Sequence, residues 1–354
     1  MKLKVAIVGL GIGRQHIRHY QALADYYDIT LICDSDAARL AEIGQSLDCL
    51  KTLSFDDVLS AEVDIVDICT PPHLHFEMAK QALEAGHHVI CEKPLVNSLE
   101  EVDQLIALTA KADRQLMPIS QYRFGAGIQR LKYLVEQGVA GKPYLASIET
   151  HWSRGADYYA VPWRGRWETE RGGVQLGHAL HNHDLMCFIL GDVATVHAMA
   201  DTRVNPIETE DCAVVNFLMT NGSLVSSSST LGSYQQISRL RFCFEHLTVE
   251  SNHSPYDPGR EPWTITPANT AVDKRISECL VDFAPPPQSY AGQFSGFHRT
   301  LTEGRDTAPP VTLQDARRGL ELITAMYQSR QSGIVVALPI SPGDKGYSDW
   351  RPGA

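Results

Sequence analysis

Lys93 stands in Cys91-Glu92-Lys93-Pro94, directly after the apolar run His87-His88-Val89-Ile90-Cys91. The run reads as a buried strand. A lysine at the carboxyl end of a parallel strand lies on the rim where open α/β sheets bind their ligands; the bland alternative is a solvated surface charge. A second chemical group is Gly9-Leu10-Gly11-Ile12-Gly13-Arg14, between the strand-like run Lys4–Val8 and a helical pattern through Ile17, Tyr20 and Leu23. Strand, glycine loop and helix form the context of a dinucleotide fingerprint. The first glycine permits the tight turn, and the second lets the backbone approach a pyrophosphate at the helix N-terminus. The third glycine comes one residue early, at Gly13, with Arg14 in the usual place, so a plain strand-to-helix turn is the competing reading. Asp34 ends the run Ile29–Cys33, 25 residues after Gly9. A carboxylate there accepts bonds from ribose hydroxyls and repels a 2′-phosphate, which favours NAD over NADP. Ser35, Arg39 and Arg14 are polar or basic groups that could soften that preference, and Asp34 could instead cap the helix beginning near Asp36.

Two more clusters carry chemistry. Trp152-Ser153-Arg154, Tyr158-Tyr159 and Trp163-Arg164-Gly165-Arg166-Trp167 combine aromatic faces, which stack on the C–H faces of sugars, with guanidinium forks for hydroxyls or acidic groups. Arg154, Trp163 and Arg166 are the substrate-contact candidates; a packed loop or an interface would use the same residues. His178, His181 and His183 suggest a metal site, but on a helix the first two share a face and the third does not. No carboxylate is obviously placed to complete such a site, so no metal is expected.

The elements that position these groups follow from pattern. Val63–Cys69 and Leu116–Ser120 add strand-like runs, and Thr70-Pro71-Pro72 forces a sharp turn. A helix spans about His75 to Ala85 and stops at Gly86; Ser98-Leu99-Glu100-Glu101 is a capping box opening a helix to about Asp113. Strands alternating with helices predict a parallel, doubly wound Rossmann-type α/β domain over 1–121. From 122 to 354 the rhythm changes to consecutive strands, at Tyr144–His151, Val193–Ala200, Cys212–Met219, Leu224–Thr230 and Ser238–Glu250. Asn221-Gly222 is a hairpin signal, and His253–Asn269 reads as an irregular loop. An α+β domain with an open, mainly antiparallel sheet is expected there.

The 354 residues exceed one ordinary core, with 44% hydrophobic and 21% charged residues, as in soluble globular proteins. A net charge of −11 argues against nucleic acid or an anionic membrane as partner. The N-terminus lacks a signal-peptide pattern, and the eight cysteines include no CxxC pair; a reduced, cytoplasmic protein without disulfides is expected.

The glycine loop with His16, Thr70-Pro71-Pro72-His73-Leu74-His75, Glu92-Lys93-Pro94 and Gln121-Tyr122-Arg123-Phe124 together resemble the glucose–fructose oxidoreductase / inositol dehydrogenase (Gfo/Idh/MocA) family. The likeness runs on through Lys132, Gly138, Gly141 and Pro143 to Val336-Ala337-Leu338-Pro339. It implies an NAD(P)-dependent dehydrogenase acting on a secondary alcohol of a sugar, sugar derivative or cyclitol. It also implies a homodimer or homotetramer built through the open sheet. By the resemblance, Thr70, Pro71, Pro72, His75, Glu92 and Gln121 shape the nicotinamide end, with Ile12 and Ser35 added to the dinucleotide contacts. Lys93 contacts both substrate oxygen and nicotinamide ribose, and Tyr122, Arg123 and His178 join the substrate contacts. His181 and Asp184 match the family's His-x-x-Asp, which makes His181 the acid/base; an imidazole is suited to exchange a hydroxyl proton near neutral pH. The family's acidic residue four positions before that histidine is Gly177 here. Two rivals stay open: NAD-assisted glycoside hydrolysis, and a non-catalytic regulatory protein that senses the dinucleotide.

Overall fold

The computed structural model describes residues 1–303, 307 and 309–353. The chain forms two compact units, Met1–Ile119 with Tyr290–Arg317, and Ser120–Ser289 with Arg318–Ala354.

In the first unit, strands β1 (Leu3–Val8), β2 (Tyr27–Cys33), β3 (Leu50–Thr52), β4 (Ile65–Ile68), β5 (His88–Cys91) and β6 (Leu116–Pro118) form one sheet in the order β3-β2-β1-β4-β5-β6. Every pairing is parallel, the doubly wound dinucleotide-binding order. Its central strands are near-continuous apolar runs because helices cover both faces; Val5, Ala6, Ile7, Ile65, Val66, Val89 and Ile90 are fully buried. The helices are α1 (Gly13–Ala22), α2 (Ala37–Gly44), α3 (Phe55–Leu59), α4 (His75–Glu84) and α5 (Leu99–Ala112). Ser98 caps α5 by accepting from the Glu101 N–H, and the Glu101 carboxylate reaches back to the Asn97 N–H. Gly86, at φ +92°, ends α4 as expected.

The second unit begins with α6 (Ala126–Glu136) and holds an eight-stranded sheet. Its strands are β7 (Pro143–Ser153), β8 (Val193–Asp201), β9 (Cys212–Met219), β10 (Leu224–Thr230), β11 (Gly232–Phe244), β12 (Leu247–Glu250), β13 (Thr264–Pro267) and β14 (Val336–Ala337). They lie in the order β13-β12-β11-β7-β10-β9-β8-β14. Only β7 and β10 pair parallel. The expected run Ser238–Glu250 is two strands rather than one, because Glu245 and His246 turn back and donate their N–H groups to Lys142 and Ala140. The supposed irregular loop His253–Asn269 contains β13, which pairs with β12 as an edge strand. Short helices α7 (Ala156–Tyr159), α8 (Leu180–Leu190) and α9 (Thr270–Cys279) belong to this unit.

The expected division at 121/122 therefore differs from the observed one mainly in the return of Tyr290–Arg317 to the first unit. Helix α10 (Ser289–Thr302) explains it. Phe294 stacks on Tyr20 at 4.4 Å, and the Tyr27 hydroxyl donates to the Phe294 carbonyl at 2.7 Å. An aromatic face on α1 and β2 needs a cover, and the cover lies far along the chain. The last helix, α11 (Leu313–Ser332), runs from one unit into the other. No helix among the described residues is long and apolar enough to cross a membrane.

Candidate active site

In the first unit, the glycine loop follows β1, and each glycine has a separate reason. Gly9 has φ +91°, and an added Cβ would lie 2.7 Å from the Cys69 carbonyl carbon and oxygen. At Gly11 an added Cβ meets nothing within 4 Å, so its backbone faces open space. At Gly13 it would press on Ile7 at 3.2 Å, where α1 packs on β1. The close-packing role thus falls on Gly13, and Arg14 in the usual third-glycine position points back to the Gly11 carbonyl. Ile12 precedes α1 without a side-chain cap, and no acid lies in its first turn. These uncapped amide donors beside an open glycine cradle fit a pyrophosphate.

Asp34, at the end of β2, is buried and accepts the Leu10 N–H at 2.7 Å and the Asp36 N–H at 2.8 Å. The Arg39 guanidinium lies 3.2 Å from both of its oxygens. The helix cap is Asp36, which accepts from Ala38 and Arg39; Asp34 instead ties the glycine loop to the strand end. Ser35 follows it, exposed.

Thr70, Pro71 and Pro72 leave β4 in the expected sharp turn before α4. The ring of His75, expected against the cofactor, lies between the carbonyls of Pro94 and Thr70, 2.8 Å from each. Burial lowers its pKa. A neutral ring carries one N–H, so it donates to one of these two carbonyls, beside the turn that holds Thr70.

Glu92 is likewise turned inward. Its carboxylate meets His16 Nε2 at 3.1 Å and accepts from the Tyr290 hydroxyl and the Lys93 N–H, both at 3.0 Å. The other nitrogen of His16 lies 2.8 Å from Asp67. Both carboxylates are buried, so both imidazole nitrogens must donate, which requires the imidazolium. Burial opposes that charge, but Asp67 and Cys69 together outweigh it and hold the His16 pKa well above 6.5. Burial would also raise Glu92, yet His16 and Lys93 bring it down to about 2. Ligand atoms of His16, Asp67 and Cys69 lie within 4.8 Å of one another; an imidazolium has no lone pair for a metal. The network anchors the residue that carries Lys93.

In the second unit, Gln121, Tyr122, Arg123 and Phe124 make one buried 3₁₀ turn. A π-helical turn, Gln175–Ala179, runs into α8, a widened geometry common at functional sites. His181 on α8 stacks on Tyr122 with ring centres 4.4 Å apart. His178 lies 3.3 Å from the Tyr158 hydroxyl and edge-on to Trp152. His183 turns the other way, to Ser227 on β10, and burial drops its pKa to about 4. An added Cβ at Gly177 meets nothing within 4 Å, so packing does not demand a glycine there. The fork of Arg123, expected at the substrate, binds Asp184 at 2.8 and 2.6 Å, which locks the turn to α8. Trp163 carries Arg164 over its ring, and Arg166 is exposed.

Sequence reasoning missed Glu210. Fully buried before β9, it accepts the N–H groups of Gly173 and Gln175 at 3.1 Å and the Tyr327 hydroxyl at 3.0 Å. At Gly173 an added Cβ would strike the Glu210 backbone. Ser227 and Ser229 of β10 hold His183 and Gln175, and Thr150 of β7 holds Asn182. The only advance signal was alternation in the serine run, with Ser227 and Ser229 buried.

A family model described as "Oxidoreductase family, NAD-binding Rossmann fold" matches residues 3–120, and the GFO/IDH/MocA C-terminal domain matches residues 128–250. An uncharacterised oxidoreductase of Synechocystis is 31% identical over 62% of this chain, which spans 63% of that relative's length. The D-glucoside 3-dehydrogenase of Escherichia coli is 25% identical over 95% of this chain and 97% of its own. Among solved structures, the WlbA dehydrogenase from Bordetella pertussis, in complex with NADH and UDP-GlcNAcA, superposes with a TM-score of 0.84. It is 26% identical, over 96% of this chain and 100% of that one.

Proposed function

Because the chain belongs to the GFO/IDH/MocA oxidoreductase family, with that family's NAD-binding Rossmann domain and C-terminal domain, we propose that it is a dehydrogenase of a sugar, sugar derivative or cyclitol. It oxidises or reduces one secondary alcohol by direct hydride transfer. The observation that carries the reading is Lys93 on the rim of a dinucleotide sheet, its backbone fixed through Glu92. When bound, the nicotinamide supplies the hydride acceptor. Lys93 stabilises the negative charge that develops on the substrate oxygen, and His181 takes the hydroxyl proton. Tyr122 supports His181 by stacking, and Arg123 acts through Asp184. Gly9, Gly11, Ile12, Gly13, Arg14, Asp34 and Ser35 bind the dinucleotide, with Thr70, Pro71, Pro72 and Gln121 at its nicotinamide end. Asp34 favours NAD over NADP, so Asp34→Ala is expected to narrow the ratio of NAD to NADP efficiency; an unchanged ratio removes Asp34 from the ribose site.

The test is NADH formation by purified protein with NAD and a panel of sugars, cyclitols and glycosides. NADH from one polyol class establishes the reaction. Released sugar without NADH would assign NAD-assisted glycoside cleavage, a reading that the departure at Gly177 keeps open; NAD binding without either product would assign a regulatory role. Copies associate through the outward face of the second sheet, where the cross-strand neighbours Met199 and Val214, and Leu218 and Leu224, are exposed. Val214→Asp should reduce the mass seen by light scattering; a mass unaltered from wild type argues for another face.

A further inference from the structure

The geometry points to a substrate bearing an anionic group, a carboxylate or phosphate, gripped by Arg154 and Arg164 beside His178; this rests on the dehydrogenase reading above. Arg154 uses one nitrogen, Nη1, for the Ser153 carbonyl at 2.7 Å, the Tyr256 hydroxyl at 3.2 Å and Gln236 Oε1 at 3.3 Å. Among the described residues its Nε and Nη2 have no partner, and it pairs with no carboxylate. That free edge is the two-donor fork that matches a carboxylate or phosphate.

The fork is held ready. The guanidinium lies against the rings of Trp152, Tyr158 and Tyr256, 5.1 to 5.5 Å from their centres. Arg164 lies over the same Tyr158 ring at 3.8 Å. Its nearest carboxylate oxygen, on Glu170, is 3.7 Å away, too far for a hydrogen bond. Two cations thus share one aromatic ring, with the buried Glu170 carboxylate, which accepts the Gly165 N–H, paired to Arg164. Burial lowers the Arg164 pKa, the Glu170 charge opposes that, and the Arg154 charge adds a smaller repulsion. An anion between the guanidiniums would relieve that repulsion and occupy the unused donors. The Tyr158 hydroxyl also reaches His178, three residues before His181, which ties the anion pocket to the segment proposed to carry the acid/base. A neutral sugar would leave the fork unsatisfied.

The test is calorimetric binding to the NADH-loaded protein of three probes: methyl glucoside, methyl glucuronide and glucose 6-phosphate. At least one acidic probe should bind roughly tenfold to a hundredfold tighter than the glucoside. Arg154→Gln should collapse that ratio towards one, and Arg154→Lys, which keeps the charge but not the fork, should fall between. Preference for the glucuronide identifies a carboxylate, and preference for the phosphate identifies a phosphoryl group. Failure of both acidic probes to outbind the glucoside overturns the inference, as does an unchanged ratio in Arg154→Gln. Turnover is read separately in the same samples with NAD in place of NADH. Acid-selective binding without NADH formation defeats the dehydrogenase reading and leaves the anion pocket standing.

Discussion

At the scale of single residues, the most informative group is an imidazolium between two buried carboxylates. His16, Asp67 and Glu92 would each be costly alone in the core; together each imidazolium donor meets a carboxylate, and the Lys93 charge beside Glu92 offsets the second negative charge. The raised His16 pKa contributes stability that is complete below 6.5 and lost as pH climbs through the folded value. The depressed Glu92 pKa contributes stability present above 4.5 and lost as pH falls towards about 2. His16→Gln should therefore cost about 3 kcal/mol, most of it between pH 4.5 and 6.5, with the gap to wild type closing in alkaline buffer. Denaturant titrations across pH would show this, and a gap independent of pH would contradict the imidazolium. Lys93→Ala should lower kcat by roughly 10²–10³-fold while NAD still binds. Turnover within a few-fold of wild type would remove Lys93 from the chemistry.

At the scale of elements, the segment from Gly173 to α8 is held from beneath. Glu210 satisfies amides at its start, inward serines and a threonine of the second sheet grip its middle, and Arg123 clamps Asp184. A segment built this way keeps its histidines in place through the partners packed behind them. Burial pushes the Glu210 pKa up to about 7, against the hydrogen bonds it accepts. Since the folded value exceeds the unfolded 4.5, the wild type should lose stability as pH rises from 4.5 to about 7. Glu210→Gln, which cannot ionise, should show a flatter melting temperature over that window. Identical slopes would mean that Glu210 stays ionised throughout.

At the scale of the whole molecule, the dinucleotide-binding unit is not a contiguous stretch. Phe294 is fully buried among Tyr20, Tyr27 and Tyr290, and the Tyr290 hydroxyl supports Glu92. Phe294→Ala should destabilise the protein by about 3–5 kcal/mol. A fragment ending at Ile119 lacks this cover and should lose cooperative thermal unfolding, which circular dichroism would detect. Sharp melting of that fragment would show that α10 is dispensable.

What could be read from the chain alone was local. Glycine spacing after β1, Asp34 after β2, the capping box at Ser98 and the turn at Thr70-Pro71-Pro72 depend on residues within a few positions of one another, so composition and periodicity reveal them. The parallel order of the first sheet followed from alternating strands and helices, and the motifs marked the family. Tertiary structure decided the rest. It joined His16 to Glu92, Arg123 to Asp184, Glu210 to Gly173, and α10 to α1 across 76, 61, 37 and more than 260 positions. It also set His75 beside the Thr70 and Pro94 carbonyls and paired Arg123 with Asp184. Such pairings leave no periodic trace, because a buried charge or ring is fixed by whatever partner the fold brings to it.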